Sequence, residues 1–578
     1  MCTRTATRRT APQFRTYPPS SLARASPPAV ARPRKTLPMT RTLRTTLPRL
    51  ASLLVLAAGS NAALALQNTQ STPASTPATA PAMAPALGYR DRGQAAIARA
   101  IEYLRRTQDK ATGGWSVPEK GSPMPNLPAI TGLVLNGMLL QPGIDSADPA
   151  VANGARYILS FARPDGGIYD TILPSYNTAI TLSALARMNT PQARAAIAPA
   201  QEFLKRSQWG TTEPVGVGGA GGKEAPSTVE PSHPHYGGLG YGNRGRPDIS
   251  NLAFALQAWH DSGLPSDDPA FQRAVIFLQR MQMAEKDPTG KVINDMPYAK
   301  GSQQGGFIYA TSENDKTVGQ GNSFAGRIDE TLTTGERVSM LRAYGSVTYA
   351  GFKSYIYAGL TRNDPRVVLA HRWMQQNWSM RENPGIGTDG FYYYVLMMSR
   401  ALDATAEPAI AVSAFAQPRN SLVLRDVPAS VTHEQVRAAV AALRKNADDP
   451  DVGVLLDIPT AAPSGGSPAS GSRDIILYTA KDDQATPLMA LIGPGGSLKV
   501  GDTPLRVHTA ENAWATEGTV TIDWRQAIVE RLVALQNPDG SFKALDDRWM
   551  ENNPVLITAY GLIALQHAVG NSGPVKPK

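Results

Sequence analysis

RAIEYLRRTQDKATGGW, running from Arg99 to Trp115, carries the pattern that decides the fold. An aromatic-aliphatic pair, Tyr103-Leu104, is followed by Gln108 and then by a Gly113-Gly114-Trp115 turn. The same order returns near the other end of the chain as Leu532, Gln536, Gly540 and Phe542. Four looser copies lie between. Tyr157-Ile158 leads to Gly166-Gly167-Ile168, with Ala162 in the Gln position, and Phe203-Leu204 with Gln208 leads to Gly237-Gly238. Phe277-Leu278 with Gln282 leads to Gly305-Gly306-Phe307, and Trp373-Met374, with Trp378 in the Gln position, leads to Gly385 and Gly387. Internal repetition of this kind is the signature of an architecture assembled from like units.

Each glycine turn precedes a second apolar stretch: Leu127 to Leu140, Asn177 to Met188, Ile249 to Trp259, Val347 to Leu360, Tyr392 to Leu402 and Val555 to Ala568. Apolar residues at three- and four-residue spacing, with small Ala and Gly between them, predict helices packed on both sides. Three of the first helices open with Asp-Pro, at Asp148-Pro149, Asp268-Pro269 and Asp364-Pro365. The carboxylate caps free amides and the proline supplies the fixed φ of the first helical position. Six helix pairs form either an open solenoid or a closed ring. Neither end carries the polar face that a solenoid terminus needs, so the ring is favoured.

The 578 residues hold 57 Lys+Arg against 47 Asp+Glu, but eleven of the basic groups fall in residues 1–65, which contain no acid. The remaining 46 basic and 47 acidic groups nearly cancel. No global basic field for a phosphate backbone survives, and no nucleic-acid partner is expected. From Met39, a basic stretch to Arg49, an apolar run from Leu50 to Ala58 and the small-x-small site Ala63-Leu64-Ala65 read as a secretory signal peptide cleaved near Ala65. The expected location is extracytoplasmic, periplasmic or secreted. No segment reaches the roughly 18 apolar residues of a transmembrane helix. Residues 66–92 read as a Pro/Ala/Thr linker and 571–578 as a tail. The single cysteine, Cys2, precedes the cleavage site, so the mature chain has no thiol, disulfide or Cys-bound zinc. His233 and His235 form an H-x-H pair without a third ligand nearby, and neither a metal nor a cofactor is expected.

These residues resemble the QW repeat of squalene-hopene cyclases and their protein-prenyltransferase relatives, and more narrowly the secreted bacterial prenyltransferase/squalene oxidase repeat proteins. The resemblance covers about residues 93–403 and 522–570. It implies an all-α fold, an (α/α)6 toroid with repeats 1–5 in 93–404 and repeat 6 in 522–570. In squalene-hopene cyclases a D-x-D-D motif at the start of an inner helix protonates an alkene. The matching stretch here is Asp248-Ile249-Ser250-Asn251, with Ser250 where the family has its proton donor. An alcohol cannot protonate a C=C bond, so squalene cyclization by that mechanism is not expected. The Asp267-Asp268 and Asp546-Asp547 pairs read as helix caps, no DDxxD run holds magnesium, and the cysteine of the prenyltransferase zinc site is missing.

In a toroid the N-terminal ends of the second helices surround the mouth, which makes their residues the candidate cavity wall: Tyr176, Asn177, Arg246, Asp248, Ser250, Asn251, Tyr344, Ser346, Tyr392, Tyr393 and Asn553. For Asn177, Asp248 and Asn553, helix capping explains the residue equally well. Tyr349 and Lys353, one helical turn apart, are expected to face the same cavity. Asp248 with Tyr349 is the candidate acid/base pair, and Arg246 is expected to pair with Asp248. The leading expectation is a cavity for an apolar or polyol ligand, isoprenoid or carbohydrate. The alternatives are an isomerase, a polysaccharide lyase, and a non-catalytic scaffold of the cell envelope.

Residues 405–521 break the repeat. Short β-branched runs, Ser421 to Val427, Val452 to Ile458, Ile475 to Tyr478, Leu488 to Ile492, Leu498 to Val500 and Val520 to Ile522, predict strands. A capping box at Thr432 and Gln435 starts a helix. This α+β insertion between the fifth and sixth helix pairs reads either as a lid over the ring or as a module for a protein partner.

Overall fold

The computed structural model describes residues 88–571 apart from 211–227, 243–245, 333, 414–420, 447–448, 450–451, 459–471, 480–484, 493–495 and 510–518. The signal peptide, most of the linker, nearly all of the tail and Cys2 lie outside the described residues. No helix among those described is long and apolar enough to cross a membrane.

The chain is mostly helical. Outer helices α1 (Tyr89–Thr107), α3 (Pro149–Leu159), α5 (Pro191–Ser207), α7 (Pro269–Met281), α9 (Pro365–Gln376) and α13 (Trp524–Leu535) alternate with inner helices. The inner set is α2 (Pro128–Leu139), α4 (Pro174–Leu185), α6 (Ile249–Asp261), α8 (Gly345–Tyr357), α10 (Phe391–Ala404) and α14 (Pro554–Val569). Burial separates the two sets. On α2 every residue from Pro128 to Met138 is buried, and on α14 every residue from Val555 to Ala568. The outer α1 buries only one stripe, Gly93, Ala96, Ile97, Ala100, Ile101, Tyr103 and Leu104. A helix apolar all round must be covered on every side, whereas an amphipathic one keeps a wet face. The inner helices accordingly pack in sequence, α2 on α4, α4 on α6, α6 on α8, α8 on α10 and α10 on α14, and α14 packs back on α2.

The repeat residues explain how successive units lock. Gln108 donates to the carbonyl of its own turn, Gly113 O at 2.8 Å, and to Ala150 O of α3 at 2.9 Å. Gln208 does the same to Gly237 O and Ala270 O, and Gln282 to Gly305 O and Arg366 O. Gln536 bonds Gly540 O at 3.1 Å and Ala96 O of α1 at 2.9 Å, which ties the last unit to the first. The turn glycines have left-handed φ and abut the next outer helix. A Cβ on Gly237 would lie 1.9 Å from Arg273 O, and one on Gly540 2.1 Å from Arg99 O. Only glycine permits both the conformation and the approach. The Asp-Pro starts act as expected: Asp148 accepts from Ala150 N at 3.0 Å, Asp268 from Ala270 N at 2.8 Å and Asp364 from Arg366 N at 3.0 Å.

Two features depart from a wholly helical repeat region. An antiparallel hairpin, β1 (Arg327–Thr331) with β2 (Arg337–Leu341), stands between α7 and α8. After α10, strand β3 (Ala409–Ser413) pairs antiparallel with β9 (Thr519–Asp523), so the chain leaves and rejoins the helical body side by side. The insertion between them is an antiparallel sheet ordered β5 (Val452–Ile458), β6 (Ser472–Thr479), β4 (Ser421–Pro428), β8 (Thr503–Thr509) and β7 (Ser497–Val500). Helix α11 (His433–Leu443) carries the expected capping box, with Gln435 N donating to Thr432 Oγ1 at 3.2 Å and Thr432 N to Gln435 Oε1 at 2.8 Å. The run Leu488 to Ile492 is helical, in α12 (Ala485–Ile492), not a strand. Leu, Met and Ala outnumber its β-branched residues, and helix propensity prevails. Sheet alternation divides the burial: Leu422 and Leu424 belong to the insertion's own core, while Val423 joins the core of the helical body.

Candidate functional site

The first turns of all six inner helices border one cavity of about 220 Å³. Helix α2 contributes Ile130, α4 Tyr176, α6 Ser250 and Phe254, α8 Ser346, α10 Tyr393, and α14 Leu556 and Tyr560. Their shared end shows that the inner helices run parallel. The connecting loops supply further aromatic groups, Tyr241, Tyr309, Phe324 and Trp549. The rings touch in series: Tyr176 meets Tyr241 at 6.1 Å between centroids and Phe254 at 5.5 Å, Phe254 meets Tyr393 at 6.0 Å, and Tyr393 meets Tyr560 at 6.3 Å. Phe324 lies 4.6 Å from Tyr309 and 5.3 Å from Trp549.

Two buried carboxyl groups stand at this end. Glu551 lines the cavity and is 1 % exposed. Its oxygens accept from the first amides of α10, Tyr392 N at 3.0 Å and Tyr393 N at 2.8 Å. Burial pushes its carboxyl up to about 7 against the pull of those two amides, and the nearby Asp546 and Asp389 add to the rise. Asp248 is wholly buried and caps α6, accepting from Asn251 N at 2.9 Å and Asn251 Nδ2 at 2.7 Å. Burial raises its pKa, opposed by Asn251, by the charge of Arg246 and by the Tyr309 hydroxyl. Asp248 stands behind the wall, beside Tyr309 and Tyr241.

Of the residues singled out from sequence, Tyr176, Ser250, Tyr344, Ser346 and Tyr393 line the cavity. Asn177 ties α4 to α2, accepting from Ala129 N at 3.0 Å and donating to Ile172 O and Leu173 O. Asn553 caps α14 through Val555 N and Leu556 N. Tyr392 turns away, its hydroxyl donating to Lys543 O. Arg246 is not ion-paired with Asp248: its Nε donates to Glu313 O at 2.7 Å and its guanidinium sits 5.0 Å from the Tyr309 ring. Nor do Tyr349 and Lys353 share the cavity. Tyr349 is buried with its ring 5.6 Å from that of Tyr394. Lys353 lies deeper along α8, donating to Gln257 Oε1 at 2.8 Å, and burial drives its ammonium well below the usual lysine range. The first turn of each inner helix faces the mouth, and residues two turns further along it face the opposite end.

That opposite end is polar. Arg187 lies 3.8 Å from Asp261, His567 Nδ1 lies 2.9 Å from Asp403, and Arg525 lies 3.1 Å from Asp403. Burial would raise the Asp261 carboxyl, but Arg187, His260 and Arg400 together hold it well below the usual carboxylate range. Cations gather where parallel helix C-termini converge, as the summed dipoles favour.

Sequence reasoning missed Glu551: the carboxyl group expected on the cavity wall was Asp248, and Glu551 lines the cavity instead. It also missed Phe254, Tyr309, Phe324, Trp549 and Tyr560. The signal for Phe254 and Tyr560 was the four-residue spacing from Ser250 and Leu556; the loop residues had none. The two rings of the H-x-H pair pack edge to face, 5.2 Å between centroids. His235 is buried with Nε2 3.1 Å from Ser312 Oγ, and burial lowers its pKa to about 4. No group of three metal-ligating side chains occurs among the described residues.

No protein-family model and no curated protein matches the chain. Among solved structures it is similar to type II terpene cyclase MstE from Scytonema, at 14% identity over 83% of this chain and 99% of that one, with a TM-score of 0.29. A variant of the same cyclase in complex with the substrate geranylgeranyl dihydroxybenzoate matches at 13% identity over 84% and 99%, also at 0.29.

Proposed function

We propose that the chain is a secreted, extracytoplasmic protein built as an (α/α)6 toroid, and that its central cavity binds a compact ligand through an apolar surface. The observation that carries this reading is the convergence of six helix first turns on one aromatic-lined cavity. Ligand pockets for drug-sized molecules span about 300–1,000 Å³. At about 220 Å³ this cavity suits a small ligand or one end of a longer, isoprenoid-like molecule rather than a whole folded polyene. Most of the wall surface is carbon, from aromatic rings and from Leu127, Ile130, Leu173, Met550 and Leu556, so the apolar form of the ligand is favoured over the polyol. No nucleic-acid partner is proposed, and the insertion is proposed as a lid or a protein-binding module.

The test is mass spectrometry of small molecules retained by the purified protein. An apolar or amphipathic molecule is expected at near-stoichiometric amount, and is lost when Ser250→Trp fills the cavity. A cavity that is empty and binds no apolar probe would refute the reading. A second reading, an isomerase acting on such a ligand, is favoured by Glu551, a carboxyl group in the cavity wall whose pKa near 7 suits proton transfer at neutral pH. Turnover that survives Glu551→Gln would exclude that role.

A further inference from the structure

We propose that the ligand's head is a diffuse organic cation, a quaternary ammonium of the choline type, held by the aromatic wall with Glu551 as its counter-charge. This deepens the cavity-binding reading and rests on it. Three observations point there. First, the wall is aromatic from several directions, through Tyr176, Phe254, Tyr393 and Tyr560 from the inner helices and Phe324 and Trp549 from the loops. Aromatic faces carry negative potential, and a cation surrounded by several is held without hydrogen bonds.

Second, Glu551 is the one carboxylate among the described lining residues, and none of these is Lys or Arg. Arg246 reaches the Tyr309 ring at 5.0 Å while bonded to Glu313 O, and Arg548 reaches the Phe324 ring at 5.0 Å and the Trp549 ring at 4.4 Å while bonded to Asp389. Neither borders the cavity. The helix N-termini would by themselves favour an anion. Their amides are already answered, by Glu551 on α10, Asp248 on α6, Asn553 on α14 and Asn177 on α2.

Third, the hydroxyls of the wall are tyrosine and serine hydroxyls that are partly spent. Ser346 Oγ accepts from Asn383 Nδ2 at 3.1 Å, and the Tyr176 and Tyr560 hydroxyls are close enough to shift each other's pKa. A sugar would have to find a partner for every hydroxyl it buries, and each one left unpaired is costly. A trialkylammonium presents methyl groups and has no hydrogen bonds to lose.

The charges facing Glu551 are Asp546 and Arg548 on its own segment, Asp389 before α10 with its bridge to Arg548, and Tyr560 on α14; Asp248 and Arg246 stand across the cavity. A bound cation stabilises the Glu551 carboxylate, so binding near neutral pH releases a proton and tightens as the pH rises through about 7.

Titration calorimetry of the full mature chain with choline, and with its neutral isostere 3,3-dimethylbutanol and anionic isostere 3,3-dimethylbutyrate, between pH 6 and 8.5 tests this. At pH 8 choline is expected to bind at least about tenfold more tightly than the alcohol. Its affinity should fall on acidification while the alcohol's stays flat. Glu551→Gln keeps an amide oxygen to cap α10 and is expected to abolish that pH dependence and weaken choline about tenfold. Tyr393→Leu, checked for native circular dichroism, should weaken choline more than the alcohol. Equal binding of the alcohol, or tighter binding of the carboxylate, would overturn the cation while leaving the cavity reading standing. Failure of every probe to bind would overturn both.

Discussion

Gly540→Ala tests whether the helical body closes on itself. Gly540 has φ +93° and its Cβ would come 2.1 Å from Arg99 O. The turn and α1 would have to part by about 1 Å, breaking the Gln536 bonds to Gly540 O at 3.1 Å and Ala96 O at 2.9 Å. Left-handed φ costs a non-glycine residue roughly 1–2 kcal/mol, and the two hydrogen bonds add about 1 kcal/mol each. The expected loss is about 3–4 kcal/mol. Gly570 supplies the control, since it has φ +87° with nothing within 4 Å of the added Cβ. Gly570→Ala should lose only the conformational part, about 1–2 kcal/mol. Urea denaturation of both variants, followed by circular dichroism, isolates the contact between the last unit and the first. Were Gly540→Ala no more destabilised than Gly570→Ala, the closed cycle of helices would be wrong.

Glu551 makes stability depend on pH. Its folded pKa of about 7 exceeds the ordinary 4.5, so the folded state holds the proton more tightly and stability falls as pH rises from about 4.5 to about 7. At about 1.4 kcal/mol per pH unit this amounts to about 3 kcal/mol, and Glu551→Gln should flatten that part of the urea-midpoint profile. An unchanged slope would refute the assignment. Asn383→Ala removes the acceptor of Ser346 N at 2.8 Å and the donor to Ser346 Oγ and Asp389 O. A loss of about 2 kcal/mol is expected, with weaker ligand binding at the Ser346 wall; a change under about 0.5 kcal/mol would contradict it. Because Ser413 pairs with Thr519, an Asn-Gly turn replacing residues 414–518 should leave the helical body folded. Loss of cooperative unfolding in that variant would show that the insertion is required for the body.

The sequence by itself determined the repeat. Gln108, Gln208, Gln282 and Gln536, the glycine turns and the Asp-Pro starts are local devices, and each forms the bonds its chemistry requires. Burial on all sides of α2 and α14 was likewise legible, because apolar residues without a polar face leave no other choice. The hairpin β1–β2 and the helical state of residues 485–492 were not legible from short apolar runs, whose period suits either state. Tertiary structure alone decided which carboxyl group meets the cavity. Asp248 and Glu551 both cap inner helices with similar bonds, yet the wall of Tyr309 and Tyr241 stands beside one while the turn before α14 brings the other to the surface of the hollow. Capping is read over a few neighbouring residues. Access to a shared cavity depends on how six helices separated by hundreds of residues converge, and no local pattern encodes that.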